Sequence, residues 1–284
     1  VLTVSIVGKP NNTPNWIEIA LAWADESQSV IPVELLFPKD RTVEEVTSES
    51  SAMMEVSQQD SIAAALNYLG YETPRQVYIA EVVADAAASG KLVAADFILS
   101  MDGEEITELE QLKSIVTNWD QSKPIEVVVD RNGSEVTEMI SPIKDSEGNF
   151  RMGILIGYKY DFPIDVNLEL GDVGGPSGGM MFALGIIDRL TEQDLTGGLH
   201  IAGTGTINQA GEVGPIGGIV QKLYGASRSG ATVFLAPADN CAEIAGNVPA
   251  GLRVVKIETL QDAITALEKL SSNKEVDSIP SCTN

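Results

Sequence analysis

One histidine and two cysteines in 284 residues leave little to hold a transition metal. His200, Cys241 and Cys282 are too scattered for a zinc spacing, so no metal site is expected. Cations are also scarce: 18 Lys and Arg stand against 41 Asp and Glu, for a net charge of −23. Binding phosphate backbones takes clustered Lys and Arg, so nucleic acid is excluded as a partner. The acid is spread along the chain and reads as a well-solvated surface. No apolar run approaches the roughly 20 residues a membrane-spanning helix requires. The phosphate-loop pattern G-x-x-x-x-G-K-[ST] is missing as well, and no cofactor is expected. The chain starts at Val1 rather than Met, which raises the expectation of a removed signal or anchor segment.

With 44% hydrophobic residues, the chain can bury a sizeable core, and its length suits about two ordinary domains. Leu2 to Val7 reads as a short strand, and Pro10 to Pro14 as a break. Trp16, Ile19, Ala20 and Trp23 recur at helical spacing and predict a packed helix face. Lys39 to Ser50 is polar and reads as a loop. Met53 to Leu69 reads as a helix that stops at Gly70.

Short strands are predicted from Val77 onward, at Val77 to Val83 and Phe97 to Met101. Leu109, Leu112, Val116 and Trp119 mark an amphipathic helix. Asn132-Gly133, between Ile125 to Val129 and Val136 to Ile140, is a type I′ hairpin signal. The text VYIAEVVADAAASGKLVAADFILSMDGEEI, followed by LEQLKSIV, resembles a PDZ domain over about residues 70 to 145. That resemblance implies binding of an extended peptide by strand addition. The hairpin that normally precedes the first matched strand is not visible, and the helix ending at Leu69 stands in its place.

Beyond Phe150 strands and helices alternate to about Leu270, and Ser271 to Asn284 reads as a frayed tail. Cys282 lies in that tail, so a bond to Cys241 is left open. Residues 171 to 182, GDVGGPSGGMMF, admit a structural reading as a glycine-rich turn capping a helix from Gly178 to Leu190. They also contain G-x-S-x-G, the pattern of a nucleophile elbow. An elbow needs a histidine base downstream, and only His200 is available, with Asp188 or Asp194 as the acid. Those residues fall on or just past the helix that follows the serine, a poor geometry for a triad.

A lysine offers a different base for Ser177, provided that burial lowers its pKa. Ile219, Lys222, Leu223 and Ala226 stand at i, i+3, i+4 and i+7 of a predicted helix, Ile219 to Ser229. Lys222 therefore lies on the apolar stripe. The bland alternative is a lysine whose stem snorkels to water. Lys269 falls off its helix's apolar face, and Lys256 sits near a strand end.

The segments GGPSGG, IAGTGTI, GEVGPIGGIVQKL and GATVFLAPADN, in that order, resemble the proteolytic domain of Lon peptidases, from about Asp165 to Leu267. With the PDZ-like stretch upstream, the chain is similar to bacterial PDZ-plus-Lon peptidases that lack an ATPase. The resemblance implies Ser177 as nucleophile, Lys222 as general base and Thr204 as the residue orienting the lysine. Gly174, Gly175 and Ser177 are the backbone loop expected to face an oxyanion. It further implies ATP-independent cleavage of unfolded or extended polypeptides and a homo-oligomeric ring, a hexamer by analogy. The outer face of a bacterial membrane is the implied location, with an N-terminal anchor outside this chain. The rival reading is a PDZ-based scaffold with an inert Lon-like domain. The expected fold is mixed α/β and α+β. An N-terminal segment, 1–69, packs on a PDZ-like β-rich domain, 70–146. A Lon-type domain, 147–270, and a flexible tail, 271–284, follow.

Overall fold

A computed structural model describes residues 4–8, 13–37, 43–145, 148–168, 175–192 and 194–282. Three helices come first: α1 (Trp16–Ala24), α2 (Val33–Leu36) and α3 (Val43–Tyr68). A β-rich stretch follows with β1 (Arg75–Val82), β2 (Phe97–Met101), β3 (Glu104–Glu105), α4 (Leu109–Thr117), β4 (Ile125–Arg131), β5 (Ser134–Ile140), β6 (Ile143–Lys144), β7 (Phe150–Arg151) and β8 (Ile154–Tyr160). The remainder is α5 (Gly179–Leu190), β9 (Ile201–Gly203), β10 (Thr206–Ile207), β11 (Val213–Gly214), α6 (Ile219–Arg228), β12 (Val233–Pro237), α7 (Cys241–Ile244), β13 (Arg253–Ile257) and α8 (Leu260–Ser272).

These elements form two compact units, and the division corrects the expected domain plan. Residues 73–163 are one unit, and residues 1–72 together with 164–284 are the other. The β-rich unit runs past residue 146 because β8 pairs with β1 in antiparallel register, Tyr78 opposite Gly157. The N-terminal segment belongs with the 164–284 part and not with the β-rich unit. Tyr224 on α6 donates its hydroxyl to Glu26 at 2.7 Å, and α3 packs against α5.

In the β-rich unit the sheet order is β5-β4-β2-β1-β8. Ile125, Val127 and Val129 alternate inward along β4, as a strand with one buried face requires. Asn132 and Gly133 both take positive φ, which the tight β4–β5 turn demands. Asp96 is fully buried and accepts from Arg131 Nε at 2.8 Å and Nη2 at 2.7 Å. Burial raises this carboxyl's pKa, but the Arg131 bonds and the Val93 N–H outweigh it and hold it below the usual value.

In the other unit β12 pairs in parallel with both β13 and β9. Ile219, Leu223 and Ala226 of α6 pack with Phe234 and Ala236 of β12 and Val254 of β13. Asn240 is a buried polar residue in this core. It accepts from Ile216 N–H at 2.9 Å and donates to the Ile216 carbonyl at 3.0 Å, tying down the loop that leads into α6. Gly218, the N-cap of α6, has φ 71°, a left-handed conformation that glycine adopts without strain.

Four local expectations change. Val4 to Gly8 form no strand, while the rest of the Leu2 to Val7 and Pro10 to Pro14 readings touches residues outside the described ones. The polar stretch up to Ser50 is helical from Val43 onward, because a polar run rich in Glu remains a good helix former when a later face is buried. α1 is not a packed face: Trp16 is 82% exposed and Trp23 72%. The Asn15 capping box builds this helix locally without any core contact. The C-terminal stretch is not frayed through Cys282. Lys256 N–H donates to the Pro280 carbonyl at 3.0 Å, and Cys282 is disulfide-bonded to Cys241. Closing a loop of 41 residues removes about 4 kcal/mol of unfolded-chain entropy in the chain-entropy account.

Candidate active site

The site lies where α5, α6 and the end of β9 meet. A 3-10 turn, Pro176–Gly178, leads into α5 and carries Ser177. This turn is held from one side by the residues after β9. The Ser177 carbonyl accepts from Gly205 N–H at 2.9 Å and from the Thr204 hydroxyl at 2.8 Å. Met180 N–H donates to the Gly205 carbonyl at 3.1 Å. Thr204 N–H in turn donates to the Leu235 carbonyl of β12 at 3.1 Å. Thr204 thus extends from the C-terminal edge of a parallel sheet, the usual place for a site in such sheets.

Lys222 reaches the same point from α6. It is 4% exposed, and its neighbours on the helix face, Ile219, Leu223 and Ala226, are fully buried. Its ammonium nitrogen lies 2.8 Å from Ser177 Oγ and 2.9 Å from Thr204 Oγ1. Burial penalises the charged form and lowers the Lys222 pKa from 10.5 to about 8. The side chain does not snorkel to water. An amine with that pKa is neutral in a useful fraction of molecules near neutral pH, and it stands within proton-transfer distance of a serine hydroxyl.

The structure therefore brings together Ser177, Thr204 and Lys222. Gly175 is close by, but its N–H donates to the Ser50 carbonyl of α3 at 3.1 Å. Gly174 lies outside the described residues. His200 is exposed, beside Gly230. Asp188 on α5 accepts from Leu195 N–H beyond the helix end, and Asp194 accepts from Thr196 and Gly197 in its own turn. None of the groups of the elbow reading meets Ser177. Lys269 donates to Ser278 and pairs with Glu275, and Lys256 pairs with Glu258.

The family model for the Lon protease (S16) C-terminal proteolytic domain matches residues 161–269. Over this stretch the chain is similar to that proteolytic domain. Within it fall all three side chains of the site. Lon protease 2 of Herpetosiphon aurantiacus is 34% identical over 108 residues, 36% of this chain and 13% of that protein. The Lon protease of Clostridioides difficile is 36% identical over 105 residues, again 36% and 13%. The chain therefore spans a small part of these curated relatives. Among solved structures, the PDZ domain of the SdrC-like protein from Listeria monocytogenes overlaps 28% of this chain and 86% of its own, at 20% identity and a TM-score of 0.27.

Sequence reasoning did not anticipate the contribution of α3. Ser57 and Ser61 of this helix reach the Ser177 turn from more than 100 residues upstream. The only signal was serine at buried-face spacing in a helix, which by itself indicates no partner. Nor did sequence reasoning anticipate Asn240, in the 3-10 turn just past a strongly apolar strand, where a buried polar side chain has to find a bond.

Proposed function

We propose that this chain is a serine endopeptidase that cuts unfolded or extended polypeptides without ATP, with Ser177 as nucleophile and Lys222 as general base. The 2.8 Å approach of the buried Lys222 amine to Ser177 Oγ is the observation that carries this reading. The neutral amine takes the hydroxyl proton as Oγ bonds to the scissile carbonyl carbon. The carbonyl electron pair moves onto oxygen, where a backbone N–H of the turn stabilises it, worth about 3 kcal/mol for one such donor. Collapse of the tetrahedral species expels the amine, which receives the proton from Lys222. Water then attacks the acyl-enzyme, with Lys222 again as base.

ATP independence is supported by the missing phosphate loop in these residues. A homo-oligomer is part of the same reading, and the exposed Trp16 and Trp23 are apolar surface open to such an assembly. We place the chain on the outer face of a bacterial membrane. The Cys241–Cys282 disulfide supports an oxidising compartment. Peptide capture by the β-rich unit remains part of the proposal.

Two variants test it. The parent is expected to degrade an unstructured protein such as reduced casein without ATP, and Ser177→Ala is expected to leave it intact. Equal degradation by both would remove Ser177 from the chemistry, and a parent inert both to casein and to a serine-reactive probe would favour the scaffold reading. Thr204→Val removes one bond to the lysine and one to the Ser177 carbonyl. It is expected to lower kcat about tenfold or more with KM little changed. A change in KM alone would show that Thr204 serves substrate binding instead.

A further inference from the structure

Helix α3 lies outside the Lon-type stretch, yet it holds the turn that carries the nucleophile. Ser50, Ser57 and Ser61 stand seven and four residues apart, on one face. Ser57 is 4% exposed and donates its hydroxyl at 3.1 Å to the Pro176 carbonyl, which also accepts from Gly179 N–H in the 3-10 turn, so Ser57 is the second donor on it. Ser61 is fully buried and donates to the Gly179 carbonyl at 3.0 Å, while also lying against the Ser57 carbonyl. The Ser50 carbonyl accepts from Gly175 N–H. The two helices meet closely here because Gly179 has no side chain; a Cβ on it would stand 2.9 Å from Ser57 Oγ.

Serine is a poorer helix former than alanine, and its buried hydroxyl costs free energy unless bonded. The usual outlet in a helix is the carbonyl four residues back. Ser61 is in place for that bond. Ser57 reaches across to Pro176 instead.

The consequence follows from peptide planarity. The described residues contain no cis peptide, so the Pro176 carbonyl and the Ser177 N–H share a trans plane and point in opposite directions. Holding that carbonyl toward α3 turns the Ser177 N–H away from α3. The Gly175 N–H faces α3 and is already engaged. Of the two described donors expected at the oxyanion, Gly175 N–H is directed into α3 and Ser177 N–H is the one directed away from it.

We propose that Ser57 is a positioning residue, fixing the Pro176–Ser177 peptide so that the Ser177 N–H meets the oxyanion. This rests on the Ser177–Lys222 reading above. The test is the rate of labelling by a fluorophosphonate probe as a function of pH, on the full chain, for the parent, Ser57→Ala and Ser61→Ala. Ser57→Ala is expected to lower the maximal rate about tenfold, less than complete loss of a donor. The pH midpoint should stay near 8, where Lys222 sets it, and half-saturation by probe should not move. Ser61→Ala is expected to stay within about twofold of the parent, because the Gly179 carbonyl belongs to a different peptide plane. Parental labelling by Ser57→Ala would overturn the proposal. So would equal losses in both variants, or a midpoint moving up toward 10.5, since either reports general loosening around Lys222. An unlabelled parent would bring down the Ser177–Lys222 reading itself, and this proposal with it.

Discussion

Lys222→Met is expected to lower kcat/KM for an unstructured substrate by about a thousandfold, the range of a lost general base. Methionine keeps the volume of the stem and its packing beside Leu223, so the loss reports chemistry. The parent should show a basic limb: its rate rises with pH and levels off above about 8, the Lys222 pKa. The sign follows from the role, because only the neutral amine can take the Ser177 proton. At pH 7 a lysine of pKa 8 is neutral in roughly a tenth of molecules. One at the ordinary value is neutral in about 0.03%, so burial enriches the working form about 300-fold. A parent whose rate does not vary with pH from 6 to 10 would rule out Lys222 as the base. Retained activity in Lys222→Met would do the same.

The same substitution should make the protein more stable at neutral pH. In the folded chain Lys222 titrates at about 8, and in the unfolded chain at 10.5. Below pH 8 both states carry the proton, and the folded state bears the full cost of burying the charge, on the order of 3 kcal/mol. Between 8 and 10.5 the unfolded chain binds more protons than the folded one, so stability contributed at this site rises with pH. Above 10.5 both states are neutral and the cost is gone. Methionine removes the charge but leaves the Ser177 and Thr204 hydroxyls without the amine as partner, which offsets about 1 kcal/mol. A net gain of about 2 kcal/mol is expected at pH 7, shrinking to nothing or reversing near pH 11. Denaturant unfolding at both pH values measures it. A variant less stable than the parent at pH 7 would mean that the folded chain does not pay for this lysine.

Burying a lysine on the apolar stripe of a helix costs stability, and the 3-and-4 spacing from Ile219 to Ala226 placed Lys222 on that stripe while leaving open whether its stem snorkels to water. The Ser177 turn was legible because glycines and a proline stand ahead of an apolar helix, whereas Thr204 came only from the resemblance of IAGTGTI to Lon peptidases. The β4–β5 hairpin was legible for a similar reason: Asn132-Gly133 tolerates the positive φ that its turn needs. The hairpin, the Ser177 turn and the stripe position of Lys222 follow from local chemistry, which periodicity and turn residues encode directly.

What only the tertiary structure decided concerns which faces meet. The pattern of α3 says that one face is buried but not what buries it. Its serines find the Ser177 turn across an inserted 73–163 unit. The apolar spacing of α1 predicted packing, yet in the fold Trp16 and Trp23 are left on the surface. The polar composition of the C-terminal stretch predicted fraying, yet a bridge to β13 and the Cys241–Cys282 bond hold it. Composition and periodicity record how a segment would prefer to meet water. Pairing between segments more than 40 residues apart depends on shape, and on which carbonyls and hydroxyls remain to be satisfied once the chain has closed on itself.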